Sequence, residues 1–330
     1  MFKNEGVESG LIRVLLIDER GQLTDETVRH RLPGSSLVQK NFEVSTDSDL
    51  PADVVVVFNS LKFDRRLTGR TGFFFKWDYE PILSDHSAHS FDKVYSFRQY
   101  PNKHVEIAPP ILDWWIDKSF DELVDLPVPE KPHSLSAIAS TKEMIEGHRI
   151  RNEFIESAHT ALPSIHLFGH GRECELGNKW DGIAGYKYSI AIENSSIDNY
   201  WTEKISDCLL AYTVPVYFGA PNIYDFFPRE SIIWLPISDS DNALAVLRSI
   251  ISSDEWSSRL DAVGQARSLI LKKYSLFAQL SRIIDEYGES IHSAPLETRL
   301  IRGRRTRPGG WEHDKGISSN VRRKFSRLLR

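Results

Sequence analysis

The four valines at 54–57 constrain this chain more than any other feature. β-Branched side chains are stiff in helices and fit a pleated surface. A run without polar alternation must be covered on both faces, which points to a central strand of a parallel sheet flanked by helices. Similar short apolar runs occur at 11–17, at 72–77 with three consecutive phenylalanines, at 91–97 and at 105–107. Segments of loop and helix length separate them, so the first 120 residues or so read as an α/β domain.

Pro127, Pro129 and Pro132 then disfavour helix on either side and mark a linker. Beyond it the alternation resumes. Strands are expected at 134–140, 165–168, 186–192, 214–218 and 231–235, and helices at 142–162, 201–212, 242–252 and 254–287. The expected organisation is an N-terminal α/β domain over 1–130, a second parallel-sheet domain over 131–300, and a tail over 301–330.

That tail carries ten Arg or Lys and two acids, against a net charge of −5 for the whole chain. The rest of the chain is therefore acidic. Val321, Phe325, Leu328 and Leu329 would share one helical face, the pattern of a short amphipathic helix that meets an anionic membrane leaflet. Nucleic acid is disfavoured because the body is acidic and has no recognisable binding motif; a solvated tail is the bland alternative. No run approaches the roughly 20 apolar residues that span a bilayer. The N-terminus shows no leader pattern, and two cysteines, Cys174 and Cys208, in no paired spacing fit a reducing compartment. The expectation is a cytoplasmic protein, peripheral on the inner membrane face.

Chemistry concentrates between 186 and 219, which reads strand, polar loop, helix, strand. In open α/β sheets ligands sit beyond the carboxyl ends of the strands, where a helix amino end with unpaired N–H groups favours phosphate. Glu193, Asn194, Ser195, Ser196, Asp198, Asn199, Tyr200, Thr202, Glu203 and Lys204 fall there. A lysine in a first helical turn is poorly placed for the helix dipole, which makes Lys204 noteworthy. Read on residues alone, a capped polar helix start with a solvated Glu–Lys pair explains the stretch equally well.

The order of residues separates the two readings. Tyr186 and Lys187, then Ile192, Glu193, Asn194 and Ser195, then Tyr200, Trp201, Thr202, Glu203 and Lys204, then Val214, Pro215 and Val216 followed by Gly219 resemble the donor-binding motif of the α-1,3-fucosyltransferases, glycosyltransferase family 10. Pro221, Phe227, Pro228 and Ser231 fit the continuation. The chain departs from the motif at Trp201 (usually Val), Ile192 (often Phe) and Tyr212 (often Gly). None of these removes a polar group, though they can reshape the pocket. The resemblance implies a GT-B-like α/β fold, with two Rossmann-like parallel-sheet domains facing a central cleft, the acceptor in the first and GDP-fucose in the second. It implies an inverting transferase that moves L-fucose to a glycan or lipid-linked glycan hydroxyl and needs no metal or other cofactor. The alternatives are a relative using another GDP-sugar, or an inactive nucleotide-sugar-binding module.

The resemblance also carries roles. Glu193, Asn194, Ser195, Tyr200, Thr202 and Lys204 would line the donor, with Lys204 on the pyrophosphate and Glu203 on ribose or fucose hydroxyls. Arg151 is the best match to an arginine on the domain's first helix. The base that takes the acceptor proton would be Glu80, following the phenylalanine strand. The match there is to a Glu-Ser-Pro neighbourhood whose serine this chain lacks, so Asp78 is the second candidate. Asp239 and Asp241 resemble an Asp-x-Asp metal motif, but helix capping explains them better. His166, His170 and Cys174 are too scattered for a zinc site.

Overall fold

In a computed structural model, residues 10–18, 23–78, 87–100, 103–111, 114–141, 143, 145–253 and 255–303 are described. In chain order the elements begin with β1 (Ile12–Ile17), α1 (Asp25–His30), β2 (Phe42–Ser45), β3 (Val54–Phe58), β4 (Arg65–Arg70), β5 (Phe74–Trp77), β6 (Lys93–Ser96), β7 (Val105–Ile107) and α2 (Phe120–Val124). They continue with β8 (His133–Ile138), α3 (Glu146–Ala161), β9 (His166–Phe168), β10 (Tyr186–Ile192), α4 (Glu203–Leu210), β11 (Val214–Phe218) and β12 (Ile233–Trp234). The last are α5 (Ser240–Ser252), α6 (Glu255–Leu269), α7 (Leu276–Ser293) and β13 (Leu296–Ile301).

Two parallel sheets organise these elements. The first has the order β2-β1-β3-β5-β6-β7, the second β12-β11-β10-β8-β9. The valine run is β3, buried at every position and paired in parallel with β1 and β5. In the second sheet β10 lies between β8 and β11, also fully parallel. The strand just before the polar loop is thus central, and a central parallel strand directs the following loop to the ligand-binding end of the sheet.

The division into units differs from the expected one. The described residues form one unit from 10–107 with 276–303, and another from 108–275. The first boundary falls earlier because Trp114, Ile116 and Leu123 are buried in the core of the second unit. The C-terminal shift has a backbone cause. The expected helix over 254–287 ends in a π turn at Ile270–Tyr274, and Ser275 is extended, with its N–H on the Ile270 carbonyl at 2.7 Å. The next helix, α7, places Phe277 against Phe42 of β2, ring centroids 6.4 Å apart. After it, β13 pairs antiparallel with β4, from Leu296 opposite Arg70 to Ile301 opposite Arg65. The linker is tied down as well. Lys131 Nζ donates to the carbonyls of Ala184 and Ala211, both at 2.7 Å, and to the Thr213 hydroxyl at 2.9 Å. Burial pushes its pKa down to about 7.

Two motif departures acquire reasons. Trp201 is 1% exposed, and its ring lies 5.0 Å from Phe227 and 5.3 Å from Tyr274. Its bulk is thus taken up by the core of the second unit. Tyr212 has φ 57°, the left-handed conformation usual after a helix end and easiest for glycine. Here the Arg267 guanidinium covers its ring at 4.7 Å and Trp256 Nε1 donates to its carbonyl at 2.9 Å. Those contacts offset the strain of a non-glycine residue there.

The amphipathic helix expected at 321–330 and the tail from 304 lie outside the described residues, as does Glu80. Among the described residues no helix is long and apolar enough to cross a membrane.

Candidate active site

β10 ends at Ile192, and Glu193 follows with 1% exposure. A carboxylate so placed needs partners. Its two oxygens accept from the Thr202 N–H at 2.6 Å and the Thr202 hydroxyl at 2.7 Å, and Lys204 Nζ is 3.2 Å away. These bonds close the polar loop over 194–201. They also fix Thr202, the N-cap of α4. The helix consequently starts at Glu203, not at 201 as expected from the sequence.

The amino end of α4 is therefore tied from inside. Lys204 Nζ meets Thr202 Oγ1 at 2.9 Å, Glu193 Oε2 at 3.2 Å and Glu203 Oε1 at 3.2 Å. Burial opposes the ammonium charge, but Glu193 and Glu203 outweigh it and raise the Lys204 pKa. Burial likewise opposes the Glu203 carboxylate, yet Lys204 and Lys179 hold it down at about 2. Glu193 is the exception in the trio. Its burial is complete enough that its pKa is raised despite Lys204.

One turn further along α4, Asp207 is 1% exposed. It stands four residues after Glu203, on the same helical side. It accepts from the Trp115 N–H at 2.8 Å and faces Lys179 Nζ at 3.2 Å. Burial lifts its pKa from 3.8 to about 6, with Lys179 pulling the other way. Lys179 belongs to a 3-10 turn, Lys179–Gly182, capped by the Asn178 side chain on the Trp180 N–H. The family motif pointed to neither residue. Asp207 lies inside the helix expected at 201–212, outside the motif's conspicuous polar residues, and Lys179 lies in the segment before β10.

Arg151 reaches the same place from α3. The helix lies so close to the polar loop that a Cβ at Gly147 would stand 1.8 Å from the Asn194 carbonyl oxygen. Arg151 is 7% exposed and donates to Asn194 Oδ1 at 3.0 Å, the Ser140 carbonyl at 3.1 Å and Asn152 Oδ1. All these partners are neutral. Burial, followed by the nearby Arg172 charge, lowers its pKa. Arg151, Lys179, Lys204 and Asp207 line one pocket, floored by residues of β10.

The structure thus gathers Arg151 with Asn194, and Glu193 with Thr202, Glu203 and Lys204. Ser195 and Tyr200 are buried in the loop, 4% and 5% exposed. In the other unit Asp78 follows β5. It pairs with the fully buried Lys76 at 2.8 Å and accepts the Tyr100 hydroxyl proton. Of the residues set aside, Asp239 caps α5 through the Asn242 N–H at 3.2 Å. His166 bonds the Tyr186 hydroxyl at 2.8 Å, and His170 faces Glu175.

Comparison with known proteins bears on this arrangement directly. Residues 128–255 match the family described as glycosyltransferase family 10 (fucosyltransferase) C-term. The segment is a glycosyltransferase family 10 domain. A 51-residue stretch is 45% identical to the alpha-(1,4)-fucosyltransferase of Arabidopsis thaliana, covering 16% of this chain and 13% of that protein. The alpha-(1,3)-fucosyltransferase FucT of Helicobacter pylori is 31% identical over 105 residues, 30% of this chain and 21% of that one. The matches thus span no more than about a fifth of these relatives. In three dimensions the likeness is broader. A crystal structure of an alpha1,3-fucosyltransferase with GDP-fucose superposes with a TM-score of 0.53 at 16% identity, covering 89% of this chain and 94% of that one. The fold is GT-B, with a parallel α/β sheet in each unit, and the family 10 domain holds the polar cluster around α4.

Proposed function

We propose that this chain transfers L-fucose from GDP-fucose to a hydroxyl of a glycan acceptor, with inversion at the anomeric carbon. The observation that carries this reading is Arg151. A guanidinium removed from water is costly without a carboxylate partner; Arg151 has only neutral hydrogen-bond partners among the described residues, and it lines a pocket with two lysines beside the family motif. A diphosphate supplies the missing negative charge. Asn194, Tyr200 and Glu203 are assigned to the sugar and ribose. Glu193 and Thr202 hold the loop that presents them.

In the reaction the acceptor oxygen forms a bond to the anomeric carbon as the bond from that carbon to the diphosphate oxygen breaks. GDP departs with the electron pair. Arg151 and Lys204 stabilise its growing charge, and a base takes the acceptor proton. Asp78 is poorly suited to that task, since Lys76 and Tyr100 already engage its carboxylate. The base role is therefore assigned to Glu80. Protein cations alone are expected to carry the leaving-group charge, so turnover should be insensitive to chelation by EDTA.

The decisive test is a transfer assay with GDP-fucose, GDP-mannose, UDP-glucose and dTDP-sugars over a glycan and lipid-linked glycan panel. Turnover should be confined to GDP-fucose. Preference for another GDP-sugar would keep the fold and change the donor; binding of GDP with no turnover would leave a sugar-nucleotide-binding module. The basic tail is assigned to an anionic leaflet at the cytoplasmic membrane face. Sedimentation with phosphatidylserine vesicles should be lost in a chain ending at 303, and retention would refute that assignment.

A further inference from the structure

The three cations that line the donor pocket are not equally available to a ligand. An ammonium has three N–H donors. Lys204 already faces three oxygens, on Thr202, Glu193 and Glu203, two of them carboxylate. A phosphate would have to displace one of them. Lys179 has a single hydrogen-bond partner among the described residues, Asp207, and its side chain is 33% exposed against 21% for Lys204. It keeps two donors in the shared pocket.

The anchor matters as much as the vacancy. Asp207 is fixed by the Trp115 N–H on one oxygen and holds Lys179 with the other. That pairing stations a long, otherwise mobile side chain at the pocket wall. It leaves the ammonium charged, since Asp207 and Glu203 offset burial and raise its pKa. Three cations would then divide their labour. Arg151 and the ammonium with spare donors face the ligand directly, whereas Lys204 also orients Glu193 and Glu203 and must yield one of those contacts to reach it.

We propose that Lys179, held by Asp207, is a direct diphosphate ligand alongside Arg151. This rests on the reading of the pocket as a GDP-sugar site. Binding of GDP and of guanosine should be measured by NMR titration for the wild type and for Lys179→Met and Lys179→Arg. Lys179→Met should weaken GDP about tenfold to hundredfold, the worth of one or two charge-assisted hydrogen bonds. Guanosine, which has no phosphate, should hold its affinity, and Lys179→Arg should restore much of the loss. Equal weakening of GDP and guanosine, or no change in either, overturns the proposal.

A second measurement needs no variant. In the wild-type chain, acetic anhydride should modify Lys179 more slowly when GDP is bound, read by mass spectrometry, and guanosine should give no such protection. Unprotected Lys179 under saturating GDP also overturns it. If the wild type fails to bind GDP at all, the donor-site reading falls first; if it binds GDP with Lys179 indifferent, only the present assignment falls.

Discussion

Two buried lysine–carboxylate clusters, one in each unit, sit at the carboxyl ends of parallel strands and behave differently. At the end of β5, Lys76 and Asp78 have side chains 0% and 4% exposed. Lys76 donates to the Asn59 carbonyl and Tyr100 to Asp78. Around α4 the ionised side chains of Lys204, Glu203 and Lys179 keep 21%, 22% and 33% of their surface. The first cluster consumes its charges internally and reads as architecture. The second retains donors and a guanidinium whose partners among the described residues are all neutral, so it can still respond to a ligand. Burial of charge alone therefore does not mark a site; unspent hydrogen-bonding capacity does.

The comparison can be broken most forcefully at Lys76. Lys76→Met leaves Asp78 without its cation in a dry interior and should cost about 3–5 kcal/mol, read from urea unfolding midpoints. GDP affinity of the folded fraction should be unchanged; a matching loss of affinity would erase the distinction between the clusters. Next in size is Gly147→Ala. Its new Cβ meets the Asn194 carbonyl, so α3 must retreat at a cost of about 1–3 kcal/mol. The contact between Arg151 and Asn194 should slacken with it, and GDP binding should weaken. Intact affinity would mean that Asn194 is a bystander.

Acid titration sharpens the contrast within the second cluster. Glu203 is held below its ordinary 4.5, at about 2. Its contribution to stability is present above pH 4.5 and is lost as pH falls toward 2. Asp207 runs the other way. Its folded-state value of about 6 lies above the ordinary 3.8, so the folded form binds the proton more tightly and stability declines as pH rises between those values. Glu203→Gln should flatten the acid limb and Asp207→Asn the opposite slope, measured as melting temperature against pH. Identical profiles for both variants would show that the charges are not coupled as described. The smallest effect is expected at Arg149, whose side chain is 45% exposed beside Glu146 and Glu153. Arg149→Ala should change stability by about 0.5 kcal/mol or less and leave GDP binding alone.

The legible part of this molecule was the part with local order. β3, β5, β10 and β11 declare themselves as apolar runs, and the sequence from Tyr186 to Gly219 identifies the family 10 segment. What escaped depended on distance. β4 and β13 are rich in charge and lack an apolar run. Each becomes a strand because its partner, about 230 residues away, completes the ladder. Lys179 and Asp207 are 28 positions apart and meet only after β10 has been threaded between β8 and β11. Glu203 and Lys204 stand out in the sequence as part of the motif. That Glu193 turns back to occupy Lys204 does not, because a contact spanning 11 residues of irregular loop leaves no periodic trace.

The return of α7 and β13 to the first sheet has a consequence for biogenesis. Strand β4 emerges from the ribosome early, and its ladder partner is among the last described residues to be made. At a synthesis rate of roughly 5–20 residues per second, β4 waits on the order of ten seconds or more with its edge unpaired. The second unit, contiguous from 108 to 275, can close in that interval. A released chain truncated after Ser275 should accordingly yield a protease-resistant fragment from its later half, while its earlier half remains open to cleavage.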